Sequence, residues 1–99
     1  MDRKARTLVH TLWFDFALQR LGGARRMDEM LRRELYRLAL FADLVPEIPR
    51  HEPLRIYRTL PFVHDDGQLT RLWIYFRLTE NDAVELLHIE AVDEEMRAA

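Results

Sequence analysis

The chain has 99 residues, a net charge of −2, 48 % hydrophobic and 32 % charged residues, and no cysteine. A chain of this length supports one domain with one modest core, and its composition lies outside the disordered class. Disulfides and thiolate metal sites are excluded, a uniformly nucleic-acid-binding surface is disfavoured, and no apolar run reaches the roughly 18–20 residues of a membrane span.

The opening MDRKAR is basic, but His10, Asp15 and Gln19 follow it and make a poor leader core, so a cytoplasmic protein is expected. Residues 5–21 carry Leu8, Leu12, Trp13, Phe16, Ala17, Arg20 and Leu21, the stripe of an amphipathic helix. The stretch 6–14 also alternates weakly and is open to a strand reading. Gly22 and Gly23 stop the helix, since glycine readily takes the left-handed cap conformation. A second helix is predicted over 27–43, starting near Asp28, with Leu31, Leu35, Leu38, Ala39 and Ala42 inward. Its arginines, Arg32, Arg33 and Arg37, are spaced for intrahelical pairs with Asp28, Glu29 and Glu34. Prolines 46, 49 and 53 then impose an extended crossing.

After Pro53 the apolar period changes from 3.6 to 2, which predicts three strands over 54–92. The Asp-Gly pair in HDDGQ supplies the first tight turn, and Asn81-Asp82 the second. The expected architecture is α+β: one domain over 1–99, a helical hairpin packed on an antiparallel sheet of three or four strands. With the first turn centred near Asp66, paired positions sum to about 132. Leu72 then faces Leu60, Phe76 faces Ile56 and Leu78 faces Leu54, while Tyr75 faces Tyr57, Trp73 faces Thr59 and Arg77 faces Arg55. A two-residue second turn brings Leu87 and Ile89 into the core, His88 beside Tyr75 and Glu90 beside Trp73; a one-residue slip would exchange the faces and put His88 and Glu90 in the core, which is costly.

This register gathers Arg55, Tyr57, Trp73, Tyr75, Arg77, His88 and Glu90 on one side of the sheet. A histidine and a carboxylate there suit general acid–base work, and arginines suit a phosphoryl-like transition state. The aromatics suit stacking on single-stranded RNA or docking of a protein partner. Cross-strand Tyr–Tyr and His–Glu pairs also simply stabilise sheets. No spacing of His, Asp or Glu amounts to a metal site, no glycine-rich phosphate loop or cofactor motif occurs, and the chain has no serine.

The stretches LYRLALFADLVPEIP, LRIYRTLPF and RLWIYFRLTENDAVELLHIEAV resemble the RelE/ParE toxin superfamily of bacterial type II toxin–antitoxin modules. The similarity spans residues 27–92 and lies in pattern rather than in an invariant motif. It implies a cognate antitoxin as partner, and one of two activities. One branch cleaves mRNA on the ribosome as a metal-independent endoribonuclease; the other inhibits DNA gyrase by binding. By position, Arg71, Arg77 and His88 match the cutting branch's site, with Glu90 or Glu52 as the carboxylate; Arg55, Tyr57, Trp73 and Tyr75 are the binding residues of the aromatic-arginine face. Members usually open on a strand that joins the sheet. The cutting branch is generally lysine-rich, whereas this chain has only Lys4 and the acidic ending EAVDEEMR, which would repel an RNA backbone. The alternative is a non-catalytic interaction protein, of immunity or adaptor type, that docks a partner through the aromatic-arginine face.

Overall fold

The computed structural model describes residues 3–21, 25–63, 67 and 69–94. Its elements are β1 (Leu8–His10), α1 (Leu12–Arg20), α2 (Arg25–Phe41), a 3-10 turn (Ala42–Leu44), β2 (Arg55–Arg58), β3 (Phe62–Val63), β4 (Leu69–Leu78) and β5 (Val84–Glu94). The class is α+β, as expected. The sheet is larger and mixed: its order is β1-β5-β4-β2, with β3 also on β4, and β1 lies parallel to β5. The expected glycine stop at 22–23, most of the Asp-Gly turn and the ending 95–99 lie outside the described residues, although Gly67 has the positive φ of 86° that such a turn needs.

The helix expected over 5–21 is divided. Thr11 caps α1 by accepting the Phe14 N–H at 3.2 Å, and its own hydroxyl donates to the Leu86 carbonyl at 2.7 Å. The cap stops the helix from running back, so Leu8–His10 pairs with Val84–Leu86 instead. The inward face of α1 also differs from the expected stripe. Phe14 and Ala17 are buried, with Leu18 and Leu21 packed against the same core, while Leu12, Trp13 and Phe16 are exposed. Two apolar stripes share this short helix, and periodicity alone does not say which one the sheet takes. In α2 the expected face holds: Leu31, Leu38 and Ala39 are buried, and Ala42 continues it in the 3-10 turn.

The sheet contributes Leu72, Ile74 and Phe76 from β4 and Val84, Leu86 and Ile89 from β5 to one core shared with both helices. At β5 a bulge separates Tyr75↔His88 from Phe76↔Leu86, so Leu87 is the extra residue and Leu86 takes the core place expected of Leu87. In the first hairpin, β3 follows the expected register (Phe62↔Thr70) but β2 is one residue off it: Arg55↔Phe76, Ile56↔Tyr75, Tyr57↔Ile74, Arg58↔Trp73.

Thr59 explains the slip. Its N–H donates to the Leu72 carbonyl at 2.9 Å, but the Leu72 N–H is accepted by the Thr59 hydroxyl at 3.0 Å. A side-chain oxygen stands where a ladder carbonyl would, and Pro61 next to it has no N–H to give. Because the side-chain period of a strand is two, one residue of slip exchanges the faces of β2. Arg55 and Tyr57 therefore turn toward the helices, and Ile56 and Arg58 turn outward. The proline segment is no simple crossing either: Ile48 N donates to Leu54 O at 2.8 Å and Glu47 bridges Arg55, closing a loop on itself.

Candidate functional site

The sheet face opposite the Leu72–Ile74–Phe76 core side is where the chemistry-bearing residues collect. On β4, alternation places Arg71, Trp73, Tyr75 and Arg77 there; β5 adds Glu85, His88 and Glu90, and β2 adds Arg58. The centre is tightly arranged. The Tyr75 hydroxyl donates to Glu90 Oε1 at 2.5 Å, and the His88 ring stacks on the Tyr75 ring, centroids 5.2 Å apart and 11° from parallel. His88 Nε2 lies 3.8 Å from Glu90 Oε2, and the Arg58 guanidinium sits over the Trp73 ring at 4.7 Å.

Burial and the Glu90 hydrogen bond push the Tyr75 phenol up to about 12, so it is a donor across the working pH range and not a base. Glu90 is thereby engaged by the phenol as well as facing His88. At the turn end of the face, Arg77 clamps Glu85 through Nε at 2.9 Å and Nη2 at 3.3 Å, a two-point pairing. That bond holds the guanidinium to its own neighbouring strand.

Of the eight residues singled out, the structure brings together Trp73, Tyr75, His88 and Glu90, in the cross-strand pairing expected. Arg71 is on the same face, opposite Val92, and Arg77 is on it but paired with Glu85. Arg55 and Tyr57 are corrections, for the register reason given above. The Arg55 guanidinium donates to the Val45 carbonyl and lies 3.5 Å from Glu47. Tyr57 packs on the core, and its hydroxyl donates to Glu34 of α2 at 2.5 Å. Burial first and Glu34 second push that phenol up to about 12 as well. Glu52 accepts the Arg50 N–H at 3.2 Å in the proline loop, removed from the β4–β5 pair.

Arg58 looks in the sequence like an interruption of an apolar strand face, and the slip at Thr59 is what turns it onto the site. The expected stripe of α1 put Trp13 and Phe16 in the core. In the structure they line, with Ala17, Gln19 and Arg20, a groove of about 590 Å³ that His88 closes from the sheet. The competing Phe14–Leu18–Leu21 spacing is the signal that could have exposed this. Among the described residues no three His, Asp or Glu side chains are placed to hold a metal ion, and no helix is long and apolar enough to cross a membrane. Comparison with protein-family models, curated proteins and solved structures finds no match.

Proposed function

We propose that the protein is a toxin-like binder that acts by docking a protein target through the outer sheet face, and that RNA cleavage is not its activity. The observation that carries this reading is the internal pairing of the face. The Arg58 guanidinium covers one side of the Trp73 ring and His88 one side of the Tyr75 ring, so each ring offers a base at most one face. Arg77 is paired with Glu85, and Glu90 puts a carboxylate beside His88, a charge that disfavours a nearby RNA phosphate. Trp, Tyr and Arg are the residues a protein-binding patch most often uses as anchors. The strand β1, joined to β5, adds the opening strand that the RelE/ParE resemblance implies. Within that resemblance the reading corresponds to the gyrase-inhibiting branch, with an antitoxin covering the same face.

A second reading, the endoribonuclease, draws on the Tyr75–Glu90–His88 contact, a donor, a carboxylate and an imidazole within one rung of the sheet. One experiment separates the two. Induced expression in bacteria should arrest growth; Trp73→Glu should relieve the arrest, while His88→Ala should leave it in place with total mRNA intact. Unimpeded growth at high expression would sink the toxin reading. Loss of arrest in both His88→Ala and Glu90→Gln, at unchanged thermal stability, would transfer the proposal to catalysis.

A further inference from the structure

We propose that the exposed face of α1 is a self-association surface, on which a second copy of this chain docks antiparallel about a two-fold axis passing beside Phe16. This goes beyond the sheet-face reading and does not depend on it.

The face is unusual for a short surface helix. Leu12, Trp13 and Phe16 are 65 %, 72 % and 54 % exposed, and Val9 at the end of β1 adds to them. Together they form on the order of 500 Å² of contiguous apolar surface, near the top of what a monomer leaves in water. Burying them inward is not open to the helix, because Phe14, Ala17, Leu18 and Leu21 already fill the side against the sheet.

The distribution along the face suggests the occupant. At about 100° per residue, Leu12, Trp13, Gln19 and Arg20 all lie within about 60° of Phe16. The apolar pair is one turn before Phe16 and the donor pair one turn after it. Trp13 and Arg20 fall on one flank of the face, and Leu12 and Gln19 on the other. A two-fold axis perpendicular to the helix and lying in the interface keeps the flanks and reverses the direction. It therefore sets Trp13 against the partner's Arg20, Leu12 against the partner's Gln19, and Phe16 against the partner's Phe16.

Arg20 is the one charged residue on this face, and its mate in this arrangement is an indole ring, the best cation–π acceptor, not a second arginine. Asp15 lies on the far flank, 3.3 Å from His10, and does not enter the contact. The helix dipoles run antiparallel. The charged residue of the patch and the ring at its centre thus each find a mate in the patch itself, as an isologous interface requires. The apolar patch alone, on the order of 500 Å² per copy when fully covered, is below the ~800 Å² per partner of a standard stable interface, so a weak dimer is expected.

Sedimentation equilibrium of the full chain over a wide concentration range tests this. The weight-average mass should rise from the monomer value toward twice it, and Phe16→Glu or Trp13→Ala should hold the mass at the monomer value with an unchanged circular dichroism spectrum. Because the chain has no cysteine, a single Phe16→Cys variant should oxidise to a covalent dimer at least tenfold faster than Tyr36→Cys, placed on the exposed side of α2. A monomer at every concentration would overturn the proposal and leave the patch to a different protein. A dimer that survives Phe16→Glu, or equal oxidation rates for the two cysteine variants, would overturn it too.

Discussion

Thr11 and Thr59 show how much a single hydroxyl decides in a chain this small. Thr11 both caps α1 and ties it to β5, through the Phe14 N–H and the Leu86 carbonyl. Replacing it with alanine leaves a helix N-terminus uncapped, and the expected loss is about 1–2 kcal/mol in urea denaturation; Thr11→Ser, which keeps the oxygen, should recover most of it. The tyrosines supply a pH-dependent test at the same scale. Tyr57 and Tyr75 are each pushed up to about 12 by burial and by a carboxylate neighbour, Glu34 and Glu90 respectively. A phenol whose folded value exceeds its unfolded value of 10.0 contributes stability that is complete below pH 10 and lost as pH rises through the folded value. Absorbance at 295 nm should therefore show two of the three phenols ionising late, near pH 12 or with unfolding. Normal titration of both Tyr57 and Tyr75 near 10 would contradict the Tyr57–Glu34 and Tyr75–Glu90 bonds together.

The elements were unevenly legible in the sequence. The face of α2 was readable because one apolar stripe opposes a charged side. The β4–β5 pairing was readable because placing His88 and Glu90 in a core would leave polar groups unsatisfied, which left one sensible register. The start of the chain was not, since α1 carries two apolar stripes and the cap at Thr11 becomes meaningful only once β5 offers Leu86. The β2 register escaped for a related reason: the alternation of Leu54, Ile56 and Leu60 points to one register, and Thr59 selects the other through a bond to Leu72, thirteen residues away. Half of the expected site followed from this. Trp73, Tyr75, His88 and Glu90 stayed together, while Arg55 and Tyr57 left and Arg58 arrived. Thr59→Val preserves the shape but leaves the buried Leu72 N–H without its acceptor. It should cost about 1–3 kcal/mol in urea denaturation. A neutral outcome would mean that Thr59 does not govern the register.

At the scale of the whole molecule, the N-terminal segment is held by a few charged contacts between distant parts of the chain. Arg6 reaches Asp82 in the β4–β5 turn at 3.0 Å, Asp43 in the 3-10 turn at 3.2 Å and the Leu40 carbonyl at 3.3 Å, while its backbone N–H donates to Ala39 at 2.9 Å. Its side chain is only 13 % exposed, so these bonds are better shielded than an ordinary surface pair. Arg3 shares Asp43 and, with Arg6, holds that carboxyl below its ordinary 3.8; the Arg3 hydrogen bond is the largest cause. Arg6→Ala removes the link between the N-terminal segment, the end of α2 and the turn that starts β5, and should cost about 1–3 kcal/mol at pH 7. The loss should appear in hydrogen exchange as faster opening at Val84, whose N–H donates to Thr7. Acid should shrink the difference between Arg6→Ala and the parent. A depressed carboxyl contributes stability above its unfolded value and loses it as pH falls through the folded one, so Asp43 ceases to reward Arg6 in that window. A penalty that stays constant from pH 7 to pH 2 would show that the packing of the Arg6 stem, rather than its charge, holds β1 in the sheet.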